Sequence, residues 1–180
     1  MPPATDLTTR LVRVELLLLD VDGVLTDGGV TLTATGEELK TFSIRDGLGL
    51  RLWQRAGYRA GIVTGRESGA VAARARELGI AIVRQGVADK TTAIAEILAA
   101  TGLAWEQAAF VGDDLPDLPV VRRCGLGVAV ADACAELVAE ADLVTDRPGG
   151  RGAVREVVER LLHARGAWPA AVAGATGGPA

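Results

Sequence analysis

Aromatic residues are nearly missing from this sequence: tryptophan, tyrosine and phenylalanine together make up 3% of 180 residues. A core must therefore be built from leucine, valine, isoleucine and alanine. The length suits one compact domain rather than two. Cysteine is as scarce. Cys124 and Cys134 stand in no metal-binding or redox spacing, so both read as buried, reduced thiols. Positive charge is not in excess either. A net charge of −4 leaves no basic footprint for nucleic acid, so no nucleic-acid partner is expected and any phosphate site must be local. Long apolar runs are also absent. Leu16 to Leu19 is closed by Asp20, far too short to cross a bilayer, and no basic stretch precedes an apolar one at the start. No membrane partner is expected, and the chain is expected in the cytoplasm. No internal repeat is visible.

What is present is an alternation of short apolar runs with helical patterns. Residues Met1 to Thr9 are polar with two prolines and read as a loose start, within a flexible stretch 1–12. Val14 to Leu19 suits a strand buried on both faces. After the turn at Asp22-Gly23, the segment from Gly29 to Ile44 alternates Val30 and Leu32 with Leu39, Phe42 and Ile44, which predicts a β-hairpin. A helix is expected from Gly47 to Ala56, stopped by Gly57, then a strand from Ala60 to Val63. Glu67 to Leu78 reads as a helix ending at Gly79, Ile80 to Val83 as a strand, and Asp89 to Ala100 as a helix capped by Asp89. Ala108–Val111, Leu126–Val130 and Leu143–Val144 are the remaining strands. Helices are expected over Ala133–Ala139 and Ala153–His163. Such alternation predicts an α/β fold with a doubly wound, mostly parallel sheet, a β-hairpin insertion and no cap domain. The folded domain spans 13–165 with its hairpin at about 29–44. The tail 166–180, rich in alanine, glycine and proline, reads as flexible or as docking on a neighbour.

In an open parallel sheet, ligands bind beyond the carboxyl ends of the strands. Asp20 and Asp22, Thr64, and Asp113 and Asp114 all fall at that edge. Asp20 and Asp22 are two apart in extended chain, so both can face one side while Val21 points away. Two carboxylates held together repel, and a hard divalent cation relieves that repulsion. Magnesium suits such oxygen ligands. An aspartate can attack phosphorus, while a second acid gives and takes a proton. Taken alone, an Asp-x-Asp after a buried strand reads first as a solvated turn, and Lys90 alone as a surface lysine. Thr64 can hydrogen-bond a phosphoryl oxygen, Gly65 lets backbone amides approach it, and Lys90 near a helix start adds positive charge. Asp113 and Asp117 flank the turn Leu115-Pro116, where a carboxylate can complete a magnesium shell.

These residues carry a resemblance. Asp20-Val-Asp22-Gly-Val-Leu-Thr26-Asp27-Gly28, Thr64-Gly65-Arg66, Lys90 and Gly112-Asp113-Asp114-Leu-Pro-Asp117 resemble, in order and spacing, the four motifs of the haloacid dehalogenase superfamily. Gly36-Glu37-Glu38-Leu39-Lys40-Thr41-Phe42 leading to Arg45-Asp46-Gly47, and Gly149-Gly150-Arg151-Gly152-Ala153-Val154-Arg155-Glu156, resemble its 3-deoxy-D-manno-octulosonate 8-phosphate phosphatases. The likeness covers about residues 13 to 165. It implies a magnesium-dependent phosphomonoesterase that forms an aspartyl-phosphate. Asp20 would be nucleophile and metal ligand. Asp22 would be acid/base and a metal ligand through its carbonyl, and Asp113 the third ligand. Thr64 and Lys90 would hold the phosphoryl group. Asp22, Lys90, Ser43, Ile44, Arg45, Asp46, Gly47, Arg51, Gly65, Arg66 and Arg74 match positions that handle the substrate, a phosphorylated keto sugar acid. Arginine suits its carboxylate through bidentate pairing.

The chain has no insertion large enough for a cap over the site. The related capless enzymes form tetramers, so the resemblance implies a homotetramer. An exposed hairpin edge with apolar alternation independently argues for a partner. Within this class an eight-carbon acid is favoured by Arg45-Asp46-Gly47 and Thr64-Gly65-Arg66. A nine-carbon acid or another small phosphate ester stays open. A phosphotransferase using the same intermediate, or a non-catalytic interaction module, are the readings from other classes.

Overall fold

The computed structural model describes residues 6–177. The chain begins α1 (Leu7–Arg13), β1 (Leu16–Leu19), β2 (Thr31–Leu32), β3 (Glu38–Leu39), α2 (Ile44–Arg55), β4 (Arg59–Val63), α3 (Gly69–Leu78) and β5 (Ile82–Arg84). It continues α4 (Lys90–Thr101), β6 (Ala108–Gly112), α5 (Leu118–Val121), β7 (Leu126–Ala129), α6 (Ala135–Glu140), β8 (Leu143–Val144), α7 (Ala153–Ala164) and α8 (Trp168–Thr176).

Six strands form one sheet in the order β5-β4-β1-β6-β7-β8, and every pairing in it is parallel. β1 is the central strand, and its four leucines are fully buried. Successive side chains of a strand face opposite sides. Leu17 and Leu19 accordingly join the core beneath α2 and α7, and Leu16 and Leu18 the core beneath α4 and α5. Each buried leucine favours the fold by up to ~2 kcal/mol relative to exposure. The chain leaves β1 toward β4 and β5, then returns to β6 on the other side. The order therefore reverses at β1, and the crevice at that switch point opens at the carboxyl ends of β1, β4 and β6.

The helix stops fall where glycine can turn left-handed: Gly79 and Gly102 close α3 and α4 with φ near +69°. Aromatic residues, few as they are, hold one seam. Trp53 is buried, stacks on Tyr58 with ring centroids 4.2 Å apart, and donates from Nε1 to the Arg59 carbonyl at 2.8 Å. The Arg165 guanidinium lies over the same two rings and donates to the carbonyls of Leu11 and Val12, satisfying the end of α1.

That clasp corrects the expected loose start: Leu7–Arg13 is a helix, while Met1 to Thr5 lie outside the described residues. The hairpin strands are only two residues each, and Ile44 belongs to α2 because Ser43 caps it by accepting the Asp46 N–H at 3.3 Å. Helix α5 was not foreseen, being four residues with a proline in its first turn. The expected flexible tail contains α8. Trp168 docks it, with its ring 5.3 Å from His163 and beneath the Arg155 guanidinium at 5.1 Å. Gly178 to Ala180 lie outside the described residues. Among the described residues no helix is long and apolar enough to cross a membrane.

Candidate active site

Asp20 is the first residue beyond β1. Its N–H still pairs with the Val111 carbonyl at 3.0 Å, so its backbone is fixed by the sheet ladder. The chain then folds back on itself, with the N–H groups of Val24, Leu25 and Thr26 all donating to the Val21 carbonyl. Gly23 makes this turn with φ +81°, and a Cβ there would fall 2.0 Å from Asp113 Oδ2. Behind the loop, a Cβ on Gly149 would lie 1.7 Å from the Gly23 carbonyl oxygen, and Gly150 donates to the Val24 carbonyl at 2.8 Å. The glycine pair near the end of the chain thus seats the loop that carries Asp20 and Asp22.

Lys90 opens α4, whose N-cap Asp89 accepts from Thr91 and Thr92. Its ammonium is 2.7 Å from Asp20 Oδ2 and 2.5 Å from Asp117 Oδ1, with both carboxylates and the lysine largely buried. Burial pulls the Lys90 ammonium toward neutrality, but the Asp20 and Asp117 carboxylates outweigh it and hold its pKa above the ordinary value. Asp113 follows β6. Burial, with the charges of Asp117, Asp20 and Asp114 added, pushes its carboxyl up to about 7. Asp117 is raised by burial and by Asp20, against the pull of Lys90, while its Oδ2 accepts the Asp113 N–H at 3.0 Å.

Oxygens of Asp20, Asp113 and Asp117 all lie within 4.8 Å of one another. One lysine does not offset three acids. The surplus charge and the all-oxygen donor set fit a hard divalent cation rather than a soft one. Thr64, buried at the end of β4, and Gly65 and Arg66 beyond it border the same cleft of about 510 Å³. Asp22 stands on its hairpin side, where Lys40 pairs with Oδ1 and Arg66 Nε lies 3.6 Å from Oδ2.

Asp20, Asp22, Thr64, Gly65, Arg66, Lys90 and Asp113 therefore meet in one cleft. The remaining expected residues do not border it. Asp46 is buried and accepts the N–H groups of Gly152 at 3.2 Å and Arg155 at 2.8 Å, so its carboxylate caps α7. Arg74 donates to the Ser43 carbonyl at 3.1 Å and pairs with Glu77 at 2.8 Å, and Arg51 donates to the Glu77 carbonyl at 2.9 Å. These two arginines, with Ile44 and Gly47, border a separate hollow of about 320 Å³. Arg45 is exposed. Lys40 and Glu38 were missed as site residues. Their period-two spacing around the outward Leu39 is the signal that could have found them.

Comparison with known proteins follows the same lines. The family model of haloacid dehalogenase-like hydrolases matches residues 76–156. The chain is 46% identical over 165 residues to the 3-deoxy-D-manno-octulosonate 8-phosphate phosphatase of Salmonella typhi, covering 92% of this chain and 88% of that one. The Moraxella catarrhalis 3-deoxy-D-manno-octulosonate 8-phosphate phosphatase, solved with magnesium, phosphate and KDO, superposes with a TM-score of 0.91 at 40% identity, over 93% of this chain and 96% of that one. The cobalt-bound phosphatase of Haemophilus influenzae gives 0.85 at 38% identity, over 87% and 92%.

Proposed function

Because the chain belongs to the haloacid dehalogenase-like hydrolases, among the 3-deoxy-D-manno-octulosonate 8-phosphate phosphatases, we propose that it converts that ester to free sugar acid and phosphate through an aspartyl-phosphate on Asp20. The observation that carries the reading is the meeting of Asp20 with Lys90 at 2.7 Å in the cleft that Thr64 and Asp113 also border.

Asp20 attacks phosphorus with one carboxylate oxygen while the bond from phosphorus to the sugar oxygen breaks. Asp22 gives its proton to that departing oxygen. Water then attacks the aspartyl-phosphate, Asp22 takes a proton back, and Asp20 is restored as phosphate leaves. Thr64 and Lys90 hold the phosphoryl oxygens. Lys90 enters the reaction as a cation, because the Asp20 and Asp117 carboxylates hold its pKa above the ordinary value. The Asp20 and Asp113 carboxylates and the Asp22 carbonyl would hold magnesium, which when bound offsets the charge of acids and phosphate.

The sugar acid end is assigned to Arg66 and Gly65 in the same chain, and to Ile44, Arg45, Arg51 and Arg74 of a neighbour in a homotetramer, with Ser43, Asp46 and Gly47 placing that segment. Two features support that division. Ile44, Arg51 and Arg74 border their own hollow, and Val30, Leu32, Leu39, Ile44 and Leu48 around it and on the hairpin are exposed. Phosphate release from a panel of esters, with and without magnesium, tests the function. The eight-carbon keto sugar acid phosphate should give the highest kcat/KM, and a chelator should abolish it. A clear preference for another ester, or full activity in chelator, would overturn the reading.

A further inference from the structure

Among the described residues the hairpin strands β2 and β3 pair only with each other, and Thr31, Leu32 and Leu39 are exposed. Yet the side chain of Lys40, one residue past β3, is 1% exposed. A lysine so deeply buried on so slight an element needs a reason, because desolvating an ammonium for a structural ion pair gives little net stability. Its partners supply one. Lys40 Nζ pairs with Asp22 Oδ1 and lies 3.4 Å from Glu38 Oε1. Arg66 pairs with the same Glu38 oxygen, and its Nε is 3.6 Å from Asp22 Oδ2. Asp22, Lys40, Glu38 and Arg66 thus close a ring of alternating charge. In it each oxygen of Asp22 faces its own cation.

We propose that Lys40 is a positioning residue for Asp22: the returning strand of the hairpin fixes the carboxylate in the orientation from which it serves the departing oxygen. Glu38 acts one step further out, holding Lys40 and Arg66 where they meet Asp22. The ring joins three separate parts of the chain. Asp22 hangs from the loop after β1, Arg66 from the turn after β4, and Glu38 and Lys40 from the hairpin. Lys40 itself transfers no proton and touches no reacting atom. Its effect is confined to where Asp22 points, and a misplaced proton donor loses rate steeply. The inference rests on Asp22 being the proton donor in the proposed reaction.

The experiment compares leaving groups within a single turnover, as the rate of leaving-group release before water enters. The sugar acid phosphate releases an alkoxide that needs a proton. Release of nitrophenolate from p-nitrophenyl phosphate needs none. Lys40→Met should slow the first by ~30-fold, part of the ~100-fold or more that general acid catalysis supplies. It should slow the second by less than ~3-fold. Lys40→Arg, which keeps the charge, should restore most of the loss. Asp22→Asn should show the same split between esters, and adding Lys40→Met to it should widen that split no further. Equal losses on both esters in a folded Lys40→Met protein would show a structural role alone and overturn the proposal. So would an additive effect in the double variant. If Asp22→Asn itself shows no split, the proton-donor reading fails and this inference falls with it. If Asp22→Asn shows it and Lys40→Met does not, only the inference falls.

Discussion

Replacing Asp113 by asparagine should stabilise the metal-free protein at neutral and alkaline pH. Burial and the neighbouring acids lift the Asp113 carboxyl from 3.8 to about 7 in the folded chain. The folded state therefore keeps this proton where the unfolded state has lost it. Stability falls as pH rises from about 4 to about 7 and is flat above, because the unfolded state binds fewer protons in that window. At 1.36 kcal/mol per pH unit the full cost above pH 7 is ~4 kcal/mol, and the half-open cleft screens it to ~2 kcal/mol. Asp113→Asn removes this cost while keeping the shape. For a chain of this size the gain amounts to ~4–8 °C in Tm. Thermal unfolding followed by circular dichroism in chelator, at pH 8 and at pH 4, measures it. The difference between the two proteins reports Asp113 together with its charge coupling to Asp117, Asp20 and Asp114. The gain should be full at pH 8 and nearly gone at pH 4. Millimolar magnesium should reverse the order at pH 8, since the wild type gains the binding energy of the ion and the variant loses a ligand. A variant no more stable than wild type at pH 8 in chelator, or equally stabilised at both pH values, would refute the reasoning.

Asp20→Asn should leave the melting temperature within a few degrees of wild type and lower turnover by more than ~1000-fold, because an amide cannot attack phosphorus; ordinary turnover in a clean preparation contradicts an aspartyl-phosphate. Asp46→Ala should cost ~2–3 kcal/mol, read as a lower denaturation midpoint, since it strands the Gly152 and Arg155 N–H groups at the start of α7. An unchanged midpoint would mean water replaces the carboxylate there. Sedimentation at micromolar concentration should show a homotetramer, and Leu32→Glu with Leu39→Glu should shift it toward smaller species and lower activity together; a fully active monomer would show that the site is complete within one chain.

The sequence carried most of this fold for a physical reason. Runs such as Leu16–Leu19 and Ala108–Val111 are apolar at every position and too short for a helix, which suits a strand covered on both faces, and both are interior strands of the sheet. Their ends were marked by polar residues, and those ends are where the cleft lies. What was not legible depended on contacts between distant segments. α1 is closed by an arginine more than 150 residues away, and α8 docks through Trp168 and Ala171 on the core that α2 and α7 cover. Neither partnership leaves a periodic trace. Lys40 was hidden differently. A lysine in a short exposed hairpin looks solvated, and only the convergence of the hairpin with Asp22 and Arg66 shows it to be enclosed.

The segment proposed to meet the substrate shows the same divide within a few residues. In Ser43-Ile44-Arg45-Asp46-Gly47, neighbouring residues have opposite fates. Ser43 caps α2 and Asp46 caps α7, and a Cβ on Gly47 would sit 2.3 Å from an Arg74 nitrogen. Those three are consumed in joining α2, α3 and α7. Ile44 is 83% exposed and Leu48 41%, and both border the hollow that Arg51 and Arg74 share. An isoleucine left in water at the mouth of a hollow containing two arginines is unfavourable in an isolated chain. It becomes favourable if another subunit covers it. The two arginines are then enclosed at the same time, where their pairing with a sugar acid carboxylate strengthens as water is excluded. Assembly and recognition of the acid would in that case be one event. Ile44→Ser, which leaves every polar group in place, should weaken both together, read as a smaller sedimenting species and a raised KM for the sugar acid phosphate. A variant that stays tetrameric with an unchanged KM would separate the two.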